Sequence, residues 1–196
     1  MNTSRIRQRP FGSSGQSLIE FAMVLPLILV VVMGVIEVGY ALLDQHGVVK
    51  LTREGSNMIS RDTSLDDAFT ALASMTTRSL DFTKNATVIF TVIKTGTTNG
   101  TSNFGKEIIY QRLQKGTVAA TSALSSIGGS FGSGPDYQAA NADTDSSLQV
   151  TNLPANLKGS GGFIYVTEVF ANHPLITPFD RLGITLPKTL KSIAYF

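Results

Sequence analysis

Between Ser17 and Leu43 the chain carries only two charged side chains, Glu20 and Glu37. From Phe21 to Ile36 it is apolar throughout, apart from Pro26 and Gly34. About 20 such residues span the hydrocarbon core of a bilayer as a helix. Backbone exposed to lipid has no water to bond to, so a span of this kind must be a helix or a closed barrel. Residues 16–43 therefore read as one transmembrane helix, and the rest of the fold must be built around that commitment. Pro26 lies inside the span and predicts a helix kink, because its ring removes an N–H and crowds the preceding turn.

What precedes the span is unlike it. Residues 1–15 are polar and basic, with Arg5, Arg7 and Arg9, and end in Gly12-Ser13-Ser14-Gly15. Arginines on this flank hold the N-terminus in the cytoplasm by the positive-inside rule. Glu20 then enters the apolar run. An acidic side chain costs roughly 2.5–3.5 kcal/mol at mid-membrane, and less near an interface. If the chain is cut between Gly15 and Gln16, the new α-amine of Gln16 lies one helical turn from Glu20 and can neutralise it. Left uncut, Glu20 reads as an interfacial charge reaching the headgroups.

These residues carry a family resemblance. Gly15, four residues, then Glu20 and the aromatic Phe21 resemble the processing motif of type IVb prepilins. The continuation Phe21-Ala22-Met23-Val24-Leu25-Pro26, with Gly34, Glu37 and Gly39, resembles the TadE-like pseudopilins of tight-adherence, Flp-type pilus systems. Arg53-Glu54-Gly55 is similar too, as is Tyr165-Val166-Thr167-Glu168-Val169-Phe170 ahead of Pro174-Leu175. The resemblance is strong over residues 15–55 and partial beyond. It implies cleavage between Gly15 and Gln16 by a membrane prepilin peptidase, with Glu20 and Phe21 as the processing and assembly motif. It implies, as partners, other pseudopilins, the major Flp pilin, the secretion ATPase and the inner-membrane platform, together with the lipid bilayer. The protein would sit in a bacterial inner membrane, N-terminus in the cytoplasm and domain outside, and could enter an extracellular pilus. Phe21 stands where major Flp pilins tend to carry tyrosine, which favours a minor subunit.

Beyond Leu43 the pattern becomes amphipathic. Val48, Leu51, Met58 and Ile59 recur at helical spacing, so residues 44–63 read as a continuation of the same helix. Ser64 predicts an N-cap, with Asp66 and Asp67 in the first turn and Leu65, Phe69, Leu72, Met75 and Leu80 as the apolar stripe. The period changes after Asp81. Residues 86–93, 106–113, 163–170 and 190–195 are β-branched or aromatic and read as four strands, the first two joined by a Gly/Thr/Asn-rich hairpin loop. The expected fold class is α+β and pilin-like: a long N-terminal helix, a second helix, then a small antiparallel sheet in an extracytoplasmic domain over residues 64–196. Residues 117–162 are rich in Gly and Ser and read as a flexible segment, with a short helical turn within 141–147.

The formal charge of +2 depends on the leader. Taking its three arginines from 16 leaves 13 basic residues against 14 acidic. A near-neutral domain gives no electrostatic footing for nucleic acid. The chain has no cysteine, so neither a disulfide framework nor a thiolate metal site is available. The Gly-rich stretches lack the Lys-Ser/Thr of a phosphate loop. His46 and His173 show no zinc-ligand spacing and read as solvent-exposed polar residues. No nucleophile elbow is present. The sequence thus predicts no enzyme, no cofactor and no metal. Two rival readings stand beside the pilin one. One is an uncleaved single-pass anchored domain with a structural or interaction role. The other is a secreted protein cut near Ala41, which the length of the apolar run disfavours.

Overall fold

A computed structural model describes residues 14–77, 80–124, 128–159, 161–179 and 188–196. The expected leader lies outside the described residues except for Ser14 and Gly15. The chain divides into two compact units, Met1–Tyr40 and Ala41–Phe196. Helix α1, Ser14–Ile59, is continuous across that division and contains Pro26.

The described part of the first unit is helix alone. Its large apolar side chains face outward; Leu18, Met23 and Leu27 are 71%, 76% and 66% exposed. The mean hydropathy of its most apolar stretch is 2.7, and the helix is long and apolar enough to cross a membrane.

The second unit is a four-stranded antiparallel sheet with a layer on each face. The strands are β1 (Ala86–Thr95), β2 (Glu107–Gly116), β3 (Phe163–Asn172) and β4 (Thr189–Tyr195), in the order β2-β1-β3-β4. Central β1 pairs Phe90 with Leu113 on one side and with Thr167 on the other. The register against β2 shifts at Val92/Ile93. Period-two alternation divides β1 between the two faces.

Ala86, Val88, Phe90 and Val92 face the helices. Here Val48, Leu51 and Ile59 of α1 meet Leu65, Ala68 and Leu72 of α2, Leu65–Ser74. Helix α2 starts as expected, with the Ser64 hydroxyl accepting from the Asp67 N–H at 3.1 Å. It ends at Ser74, so Leu80 of the expected stripe lies beyond the helix, yet it is buried in the same cluster.

The opposite face is covered by the Gly/Ser-rich segment itself. Leu124, Leu148, Val150 and Leu153 are each at most 5% exposed and pack on Ile93, Ile109, Ile164 and Val166. The helical turn expected over 141–147 lies later, as a 3₁₀ turn at Ser146–Leu148 capped by Asp145, with plain turn over 141–144. Linker composition over residues 117–162 therefore coexists with a packed layer. Four apolar anchors hold the described part of it to the sheet.

The hairpin loop is fastened to that layer. Asn103 is fully buried. Its amide donates to the carbonyls of Ala142 and Asp145 at 2.7 and 2.9 Å, and its oxygen accepts from Gln149 at 2.9 Å. Gly96 is required where this loop closes, since a Cβ there would lie 2.0 Å from the Asn103 carbonyl oxygen.

Candidate processing site and membrane anchor

The residues expected to carry processing all fall at the start of α1. Helical geometry places Gln16 and Glu20 on one face, and the Gln16 side-chain amide donates to Glu20 Oε1 at 3.0 Å. Gly15 lies in the first turn, beside the candidate scissile bond. A Cβ on Gly15 would meet nothing within 4 Å. Among the described residues nothing packs closely enough on position 15 to require glycine there. Phe21 is 60% exposed and contributes to no core. Pro26 stands within the helix, five residues past Phe21.

Among the described residues no group of three or more His, Cys, Asp or Glu side chains could hold a metal ion. What the segment offers is a polar motif at the head of an apolar helix, with the side chains outward.

Three buried polar side chains of the second unit, Asp44, His173 and Glu168, escape sequence reasoning. His173 is not solvent-exposed as expected but 4% exposed, and its Nδ1 lies 2.6 Å from Asp44 Oδ2. Asp44 comes from α1 and His173 follows the last residue of β3, so the pair clamps the helix to the sheet. The histidine preceding a proline looks like a turn residue, and its partner lies 129 positions away. Glu168, in the middle of β3, is 1% exposed. It accepts from the Ala123 N–H at 2.6 Å and from the Ser122 hydroxyl, so it anchors the covering segment. A lone glutamate inside the β-branched run 163–170 was the available signal. Arg112 of β2 is near enough to feel that charge. Burial pushes its guanidinium down from the usual range, and Glu168 offsets part of that.

A family model described as TadE-like protein matches residues 15–57. No curated protein matches the chain, and no solved structure does. The matched segment begins at the glycine of the candidate cleavage site, runs through the apolar helix, and ends two residues short of the last residue of α1. Over residues 15–57 the chain is similar to the TadE-like family.

Proposed function

We propose that this protein is a minor pseudopilin of a tight-adherence pilus system. A membrane prepilin peptidase cuts it between Gly15 and Gln16, leaving Gln16 as the mature start. The TadE-like segment supports involvement in Tad pilus systems in general. The observation that carries the finer reading is the mismatch between motif and fold. Gly15 occupies open space where no described neighbour requires glycine, and Glu20 is an exposed carboxylate at the head of an apolar helix, bonded only to Gln16 among the described residues. Residues that a chain's own fold does not require are explained by something that reads them from outside.

In this reading Gly15 fits a peptidase that needs a small residue beside the scissile bond. Glu20 neutralises the amine that cleavage creates, in the same chain or in a neighbouring subunit. The apolar helix holds the protein in the inner membrane and serves as its packing element beside other pilins. Residues 41–196 form the extracytoplasmic domain.

Intact mass and N-terminal sequencing of protein recovered from native membranes test this directly. A start at Gln16 is expected. A start at Met1 sinks the processing step and leaves an anchored domain; a start near residue 42 points to a released protein. Glu20→Ala should still be cleaved yet give few or no pili by electron microscopy. Normal piliation of that variant would remove the docking role.

A further inference from the structure

Where α1 ends and α2 begins, the chain turns over one end of the sheet and a cleft of about 250 Å³ opens. Its wall is aromatic, with Tyr110 from β2 and Phe163 and Tyr165 from β3. The Tyr110 and Phe163 ring centroids are 6.0 Å apart and those of Phe163 and Tyr165 are 6.3 Å apart, all tilted. Phe163 is 52% exposed, although it sits in a strand whose other apolar residues are largely covered. Two carboxylates join the rings, Asp62 from the turn after α1 and Asp136 from the covering segment. Among the described residues no lysine or arginine lines the cleft. Neither carboxylate has an ion-pair partner among the described residues. The last turn of α1 carries no basic residue either, so its carbonyl end adds negative partial charge.

The negative field reaches the rings. Burial raises the pKa of the Tyr165 hydroxyl, and the charge of Asp62 raises it further. One ring already takes a cation in this fold, with Lys94 Nζ 4.1 Å from the Tyr110 centroid. Three aromatic rings, of which Tyr110 already faces Lys94, and two carboxylates without an ion-pair partner among the described residues complement a flat positive group. A guanidinium stacks on aromatic faces and forks to carboxylates; an ammonium does only part of this.

We propose that this cleft receives an arginine side chain presented by a partner protein. The proposal rests on the pseudopilin reading only for the existence of protein partners, and its test needs neither cleavage nor pili. A neutral sugar would use the same rings but would not need the two carboxylates, which is why the charged ligand is preferred.

The test is a titration of the full chain in detergent micelles, with labelled Phe and Tyr rings followed by NMR. The probe is acetyl-Gly-Arg-Gly-amide, with acetyl-Gly-Gln-Gly-amide and cellobiose as neutral counterparts. The arginine peptide should give saturable shifts at Tyr110, Phe163 and Tyr165 that weaken with added salt. Asp62→Asn combined with Asp136→Asn should weaken binding by about tenfold, as expected for losing two partly exposed charge contacts. Asp62 has φ of +62°, a conformation asparagine adopts readily, so the double variant keeps its backbone. Phe163→Ala, which removes an exposed ring, should weaken binding by a similar factor. The proposal is overturned by the absence of saturable shifts, by equal binding of the glutamine peptide or cellobiose, or by unchanged affinity in the double variant.

Discussion

Asp66 ties three separate parts of the sequence together. It sits in the first turn of α2, where a carboxylate suits the helix dipole. Lys115 at the end of β2 donates to its Oδ1 at 2.6 Å, and the Tyr137 hydroxyl donates to the same oxygen at 2.9 Å. The hydrogen bond from Lys115, and then that from Tyr137, hold the Asp66 carboxyl below the usual carboxylate range. The same contact raises Lys115. An unfolded aspartate titrates near 3.9, and the folded value lies lower, so folding favours the ionised form. The resulting stability is complete above the unfolded value and is lost as pH falls through the folded one. Asp81 and Asp145, held low by Thr83 and Ser147, act in the same direction. The melting temperature of the full chain in detergent should therefore fall through the acid range, and Asp66→Asn should flatten part of that limb. An acid limb of unchanged steepness in Asp66→Asn would mean that the Lys115 and Tyr137 contacts contribute nothing.

Among the elements, the contact that decides the packing of the second unit is α1 against the sheet. Gly55 makes it possible. A Cβ there would lie 2.8 Å from Thr167 Cγ2 and 3.1 Å from both Leu72 Cδ1 and Phe90 Cε1. One turn of α1 thus rests on β1, β3 and α2 at once, and the neighbouring Ser56 hydroxyl donates to the Ala194 carbonyl of β4 at 3.1 Å. Helix propensity alone says that Gly55→Ala should stabilise by about 1 kcal/mol; the close approach says that it should not. Gly55→Leu should cost roughly 1–3 kcal/mol or more through overpacking, lowering the melting temperature by about 2–4 °C per kcal/mol in a domain of this size. A higher melting temperature for Gly55→Ala would show that the approach can relax and that the glycine is incidental. The four strands, the capped α2 and the long α1 were readable from the sequence because each rests on a local signal: β-branched runs, a Ser-x-x-Asp cap, helical spacing. The layer over the second face was not. Leu124, Leu148, Val150 and Leu153 are strewn among Gly, Ser, Thr and Asn without a period, and only the finished sheet gives them a common surface. The placement of Gln16 and Glu20 on one helix face was readable because four residues make about one helical turn; the bond from the Gln16 side-chain amide is a different contact from the one expected of a Gln16 α-amine. The Asp44–His173 pair was not, because nothing local connects its partners.

For the molecule as a whole, α1 serves two environments with one continuous helix. Up to Tyr40 its apolar side chains face outward and contribute to neither core cluster. From Ala41 the same helix is part of the domain: Val48, Leu51 and Ile59 are at most 3% exposed, and Asp44 holds His173. Burying each such side chain is worth about 1.5–3 kcal/mol, so three of them together approach the 5–15 kcal/mol by which a domain is stable at all. The helix therefore cannot be divided where its sequence turns from apolar to amphipathic without care for which side keeps the turn 44–59. A chain of residues 41–196 should be soluble, monomeric by size exclusion, and should melt in a single cooperative transition. A chain of residues 63–196 loses the helix that covers Val88, Phe90 and Val169, exposes that face of the sheet, and should aggregate or lack a cooperative transition by circular dichroism. If residues 63–196 melt cooperatively near the temperature of residues 41–196, the second half of α1 is an accessory to the domain and its burial there contributes little to stability.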